Sequence, residues 1–246
     1  MNIVIDAHVH MGSSSEDYFQ HIRGSNIKGA VMFPPVDEIY NRYIKNFKDD
    51  AKWLDRREKA NDFVLSLTTP QDFKVYPFFF VWNDFNLDKL YLYKGVKWHR
   101  HSDEPVYDYK CEKCKKFVDE IQKRNLPVIL EEEFEKTLLF TNYLAPKAKV
   151  IIPHCGLLNG GYKRLCKFRI WEKERIYTDT SLVDPKVVED YIKRYGYDRI
   201  MFGSDFPFGL PKTQLRNILE LKITAEAKEA VSGLNIIKLL GQSHQI

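Results

Sequence analysis

The chain has 246 residues, enough for one large α/β domain or two small ones, and 44% hydrophobic residues with 14% aromatics supply a substantial core. Its 38 basic and 34 acidic residues leave a net charge of +4 with the signs interspersed, so no basic stripe marks a nucleic-acid binder. No apolar run approaches the ~20 residues of a membrane span, and the opening MNIVIDAHVH lacks a basic n-region and a cleavage site, so the cytoplasm is the expected location.

Eight apolar, β-branched runs recur along the chain, at residues 2–10, 28–34, 74–82, 95–99, 126–132, 148–156, 175–181 and 198–207. Several are too continuously apolar for a sheet with one wet face, which predicts strands covered on both sides. Segments of helical spacing lie between them. The long, charged stretch 36–73 predicts one helix within 41–67, running over the rim. Residues 107–125 read as an amphipathic helix ending at Asn125. The segment DPKVVEDYIKRYG has proline near its start, carries Val187, Val188, Tyr191 and Ile192, and closes on Gly196. Residues 212–241 predict one or two closing helices. Cys111 and Cys114 have C-x-x-C spacing, but no second pair completes a zinc site, so they read as partly buried helical cysteines, with a redox role as the alternative.

There is no internal repeat, low-complexity tract or linker. Eight alternating β/α units then predict an α/β fold, a single (β/α)₈ TIM barrel in one domain over residues 1–246. An open doubly wound sheet is the alternative. Its glycine-rich phosphate loop would stand where this chain reads HMGSSSED, without G-x-G-x-x-G.

In such a barrel the active site lies at the C-terminal ends of the strands. Those ends carry His8 and His10; Lys97 and His99, followed by Arg100 and His101; Glu131, Glu132 and Glu133; His154; Asp179; and Asp205. Side chains at i and i+2 of a strand point the same way. His8 and His10 therefore present two imidazoles to one point, either as neutral ligands of one divalent cation or as a hydrogen-bonded pair. Asp6 shares their face and would accept a ring N–H or a neighbouring donor.

The stretches VIDAHVHMG, GVKWH, LPVIL, VIIPHCG, IYTDTS and RIMFGSDFP together resemble the amidohydrolase superfamily. More narrowly they resemble amidohydrolase family 2, the TIM-barrel metal-dependent hydrolases. The resemblance runs from residue 2 to the closing NIIKLLG, and DAHVH and FGSDFP are its most specific parts. It implies that His8 and His10 are metal ligands. It implies that Asp205 touches the metal and acts as general base on the bound water. His154 would polarise the substrate or act as acid/base. Lys97 and His99, in GVKWH, would face the substrate. His101 forms a second His-x-His with His99 but lies past the strand end. A carbamylated Lys97 bridging two metals is untypical of this branch.

One position departs from the pattern. The family's fifth strand usually ends in histidine, and this chain has Glu131. Either Glu131 is an oxygen ligand or the site has lost its metal. As a ligand it would leave a near-neutral shell that tilts toward harder ions, so the expected cofactor is a divalent metal, zinc first with manganese as the alternative. Three adjacent carboxylates at 131–133 would repel one another without a cation or basic neighbours. The expected function is a metal-dependent hydrolase using a metal-activated water on a lactone, amide or ester of a small carboxylic acid. The alternatives are a nonoxidative decarboxylase of the same branch and a metal-free barrel binding a small molecule. The expected partner is a small-molecule substrate, with no nucleic acid and no membrane, and a homo-oligomer remains compatible with the sequence.

Overall fold

Eight parallel strands pair in chain order: β1 (Val4–His10), β2 (Ile27–Phe33), β3 (Lys74–Phe80), β4 (Gly95–His99), β5 (Val128–Glu131), β6 (Val150–Ile152), β7 (Ile176–Asp179) and β8 (Ile200–Met201). The structure is a computed structural model, and it describes residues 3–13 and 17–241. Every residue of β1, β4 and β5 is buried, as two covered faces require. The segment after β8 closes the ring onto β1: Ala7 N–H donates to Phe202 O, Asp205 N–H to His8 O and His10 N–H to Phe206 O, each at 2.8 Å. The fold is the (β/α)₈ barrel read from the alternation, in a single domain.

The outer layer holds α1 (Tyr18–Ile22), α2 (Ala51–Leu65), α3 (Glu112–Lys123), α4 (Phe134–Leu139), α5 (Tyr162–Lys167), α6 (Pro185–Tyr195), α7 (Pro211–Glu220), α8 (Ala225–Glu229) and α9 (Asn235–Leu239). In α3, Cys114, Phe117, Val118 and Ile121 repeat at helical spacing and are buried. Burial of a side chain like Phe117 contributes about 2–3 kcal/mol. Cys111 caps this helix, its sulfur accepting the Cys114 N–H at 3.3 Å, and both thiols are free. In α6, Asp184 caps the first turn, Pro185 takes the first helical position and Gly196 follows the last residue at φ 79°.

Two connections differ from the expected pattern. Only residues 51–65 of the 41–67 stretch are helical. The helix starts where Asp50 accepts the N–H groups of Lys52 and Trp53. The chain before it is held in another path by buried Arg57, which binds Asp49, Asp84 and the carbonyl of Ile39. Between β3 and β4 the connection carries a single 3₁₀ turn, Leu90–Leu92, in place of an α-helix. No helix among the described residues is long and apolar enough to cross a membrane.

Register positions the site. Lys97 pairs with Ile129 and His99 with Glu131 across β4 and β5, so Lys97, His99 and Glu131 meet at one rim. Gly203 follows β8 where a Cβ would lie 3.1 Å from that of His8 and 3.3 Å from that of Asp179, a fit that only glycine makes without displacement.

Candidate metal centre

The alternation of β1 puts His8 and His10 on one face, their rings 5.5 Å apart, with the edge of Phe33 from β2 against both. His8 Nδ1 lies 2.9 Å from Asp179 Oδ2. A carboxylate accepts, so the Nδ1 proton is directed at Asp179 and the Nε2 lone pair faces the barrel mouth. Burial, aided by the Lys97 charge, lowers the pKa of His8 to about 4 and that of His10 well below its ordinary value. Both rings are therefore neutral at pH 7, the form that binds metals.

Asp205 follows β8 with a left-handed backbone, φ 56°. Its Oδ1 stands 3.3 Å from His8 Nε2 and 3.3 Å from His10 Nε2. The His8 lone pair is met by the Lys97 ammonium at 3.1 Å, in the position that a metal ion held by His8 and Asp205 would share. Ligand atoms held ~2.0–2.1 Å from a tetrahedral ion are ~3.3–3.4 Å from one another. The two 3.3 Å distances to Asp205 Oδ1 match that spacing, and one donor atom each from His8, His154 and Asp205 lies within 4.8 Å of the others, a set that could hold a divalent cation with His10 beside it. Burial raises the pKa of Asp205, against the pull of His8 and His154.

His154 sits just past β6, also left-handed at φ 56°. Its backbone N–H donates to Asp179 Oδ1 at 3.0 Å, and its ring Nδ1 is 3.0 Å from the Ser181 carbonyl and 2.8 Å from the Ser181 hydroxyl. The other nitrogen, Nε2, faces Glu131 Oε2 at 3.7 Å and Asp205 Oδ2 at 3.9 Å. Burial opposes its charge, but Glu131, Asp179 and Asp205 more than offset that and lift its pKa to about 9. Asp179 also accepts from the Ser181 hydroxyl and backbone N–H. Despite burial, the His8 and His154 charges and these bonds hold it well below the usual carboxylate range.

Glu131 lies on the opposite wall. Its Oε2 is 3.0 Å from Lys97 Nζ and 3.1 Å from His99 Nδ1, and its Oε1 is 2.8 Å from His101 Nε2. Burial disfavours its charge, yet His99, Lys97 and His101 keep it well below the ordinary carboxylate pKa. Lys97 Nζ also reaches His8 Nε2 at 3.1 Å and rests over the Phe33 ring. Glu132 and Glu133 both face Arg100, at 3.1 and 3.4 Å, and Glu132 accepts from the Tyr109 hydroxyl at 2.5 Å. Basic neighbours thus neutralise the carboxylate run, and the run needs no ion to explain it. Asp6 accepts from Ser204 N–H at 2.8 Å, His8 N–H at 3.2 Å and the Tyr18 hydroxyl at 3.0 Å, backbone and phenol donors in place of the expected imidazole, and so ties β1 to the residue before Asp205.

A cavity of about 580 Å³ opens over these groups. His10, His99, His101, Arg42, Glu131 and Asp205 line its polar side, and Val36, Leu158, Leu182, Pro207 and Phe208 its apolar side. The sequence reading gave no role to Asp179, Ser181, Arg42 or Glu104. The D-T-S run at a strand end, with Asp179 and Ser181 two apart, was the available signal for the first two. Arg42 and Glu104 lie on loops, where no periodicity marks them.

A family model described as amidohydrolase matches residues 93–242, more than half of the chain. The chain belongs to amidohydrolase family 2. The matched part of this amidohydrolase runs from just before β4 through α9 and includes Lys97, His99, Glu131, His154 and Asp205. No curated protein matches the chain. Among solved structures, 2,6-dihydroxybenzoate decarboxylase from Rhizobium aligns with TM-score 0.72 at 13% identity, covering 98% of this chain and 99% of that one. A dihydroxybenzoic acid decarboxylase from a Polaromonas species, with bound manganese and the inhibitor 2-nitroresorcinol, aligns with TM-score 0.71 at 13% identity, covering 98% and 97%. Amidohydrolase 2 from Bifidobacterium longum subsp. infantis aligns with TM-score 0.66 at 15% identity, covering 99% and 100%. At these identities the likeness is one of fold.

Proposed function

We propose that this amidohydrolase is a metal-dependent hydrolase that cleaves a lactone, amide or ester of a small carboxylic acid. The observation that carries this reading is the placement of Asp205 Oδ1 3.3 Å from both His8 Nε2 and His10 Nε2 at the mouth of the barrel. These three residues would hold a divalent ion. Two nitrogens and one oxygen suit zinc, and manganese is the ion in one of the structurally similar decarboxylases. When bound, such an ion lowers the pKa of its water toward ~7 and polarises a carbonyl oxygen.

The chain's own residues supply the rest. Asp205 Oδ2, the oxygen not shared between His8 and His10 and 3.9 Å from His154 Nε2, takes the proton of the attacking water, and burial makes it a stronger base than an exposed aspartate. His154 Nε2–H, fixed by Ser181 behind the ring, donates to the oxygen that becomes negative as the carbonyl carbon turns tetrahedral. His99 faces the substrate from β4, and Lys97, buried beneath it, holds Glu131 and His8. Arg42, Arg56 and His101 stand on the polar wall beside Asp37, Glu38 and Glu131, so it offers both signs of charge to a polar substrate, and Leu158, Leu182 and Phe208 pack its apolar part.

Decarboxylation is the second reading, favoured by the dihydroxybenzoate decarboxylases among the similar structures. One experiment separates the two. Protein loaded with zinc or with manganese is offered a panel of small lactones, amides and esters, and separately a panel of hydroxybenzoic acids. Metal-dependent acid release supports hydrolysis. Carbon dioxide release without net hydrolysis supports decarboxylation. Protein that reproducibly takes up no metal and turns over neither panel would leave a metal-free binding barrel.

A further inference from the structure

A second set of metal-type donors converges on the wall that faces the His8–His10–Asp205 triplet. His99 and Glu131 are direct partners across β4 and β5, and His101 follows His99 by two residues. One donor atom from each of the three lies within 4.8 Å of the others. His99 is 4% exposed, and neither of its ring nitrogens has a hydrogen-bond partner of good geometry. Its Nδ1 stands 3.1 Å from Glu131 Oε2, near but out of line. A buried imidazole left this way is costly without something to receive its lone pair.

Behind both rings lies a single buried carboxylate, Glu104. Its Oε2 is 3.8 Å from His99 Nε2 and its Oε1 is 3.6 Å from His101 Nδ1. Glu104 is itself pinned by the Tyr40 hydroxyl at 2.7 Å, by His101 N–H at 3.0 Å and by Arg42. Each imidazole therefore has one nitrogen toward Glu131 and the other toward Glu104. At these distances Glu104 backs both rings without bonding them, and Arg42 Nη2 stands 3.2 Å from His101 Nδ1. A cation at His101 Nε2 would draw the Nδ1 proton toward Glu104, as an outer carboxylate does for a metal-ligating histidine.

We propose that His99 Nδ1, His101 Nε2 and Glu131 form a second divalent-cation site. Two histidines and one carboxylate make a donor set that zinc accepts while leaving positions open. All three residues line the cavity, so the open positions face it. The neighbouring cations leave room for the charge. Arg100 is paired with Glu132 and Glu133, and Arg42 with Glu104. Lys97 engages only Oε2 of Glu131, and Oε1 remains for the ion. Binding displaces the proton between His101 Nε2 and Glu131 Oε1; it passes to His101 Nδ1, where Arg42 gives way to Glu104, and the ring stays neutral. The resulting +1 site anchors an anionic oxygen of the substrate across the cavity from the triplet. This site stands on its own donors and does not depend on which bond the triplet breaks.

The test uses zinc alone. Full-length protein is stripped with chelator and titrated with Zn²⁺, with binding followed by calorimetry and by metal content after gel filtration. The wild type is expected to take two equivalents. His101→Ala removes a partly exposed ligand and is expected to leave one. His8→Ala is expected to lose the other, and the double variant both. Glu104→Gln should keep both equivalents but weaken one of them by about ten- to a hundredfold. If His101→Ala does not fold, His101→Gln serves in its place. One equivalent in the wild type that His101→Ala leaves untouched would overturn the proposal. Two equivalents that both survive His101→Ala, or no zinc bound at all, would overturn it equally.

Discussion

The 2.9 Å contact between His8 Nδ1 and Asp179 Oδ2 decides which nitrogen of His8 faces the cavity. Asp179 is fully buried, and it also accepts the backbone N–H groups of His154 and Ser181. One carboxylate thus aligns a candidate ligand from β1 with a candidate acid from the end of β6. Asp179→Asn keeps the shape and removes the charge. We expect it to weaken zinc binding about ten- to a hundredfold. Competition against a chromophoric chelator measures this. Affinity within twofold of the wild type would show that His8 is oriented by something else.

Lys97 and Glu131 are 0% and 2% exposed, a buried ion pair at 3.0 Å. Lys97→Met should strand the carboxylate and cost about 3–5 kcal/mol of stability. The double variant Lys97→Met with Glu131→Leu should recover most of that loss, because it removes both charges together. Urea unfolding of the metal-free proteins gives the comparison. A Lys97→Met cost under about 1 kcal/mol would mean that His99 and His101 alone satisfy Glu131.

The barrel was legible because its signals are local. Apolar runs bounded by turns mark the strands, and spacing as in α3 marks the helices. The overlong helix at 41–67 shows the limit: nothing local reveals that Arg57 will take Asp49 and Asp84. At the site, barrel topology brings every strand end to one rim, so His8, His10, Lys97, His99, Glu131, His154 and Asp205 were visible as a group. Their pairings were not. His8 and Asp179 are 171 residues apart, and whether Glu131 turns to Lys97 or toward the His8 side is set by side-chain torsions that no pattern encodes.

Asp205→Asn tests the base. The left-handed φ of 56° at this position is tolerated by asparagine as by aspartate, so the fold should survive. Loss of the proton acceptor should lower kcat by about 10²–10⁴-fold. Thermal melting checks the fold, and turnover on a substrate found by the acid-release panel checks the role. Turnover near that of the wild type in a folded, metal-loaded variant would remove Asp205 from the chemistry.

His154 sets a pH dependence that can be read in the metal-free protein. Its folded pKa of about 9 lies above the ordinary 6.5, chiefly through Glu131, Asp179 and Asp205 acting against burial. Between these values the folded state holds a proton that the unfolded chain has released. Stability from this group is therefore complete below about pH 6.5 and falls as the pH rises through about 9. The whole span corresponds to about 3 kcal/mol, and about 2 kcal/mol of it falls between roughly pH 7.5 and 9.5. His8, with its pKa lowered to about 4, acts in the opposite sense but only between about 4 and 6.5, so it does not mask the decline. Chelator-treated protein unfolded in urea at several values across pH 7.5–9.5 should show a falling midpoint, and His154→Gln should flatten that slope. A wild-type midpoint that stays level, or a slope no shallower in His154→Gln than in the wild type, would show that His154 is not charged in the folded protein; any smaller residual slope belongs to His101, whose pKa the bond to Glu131 also raises.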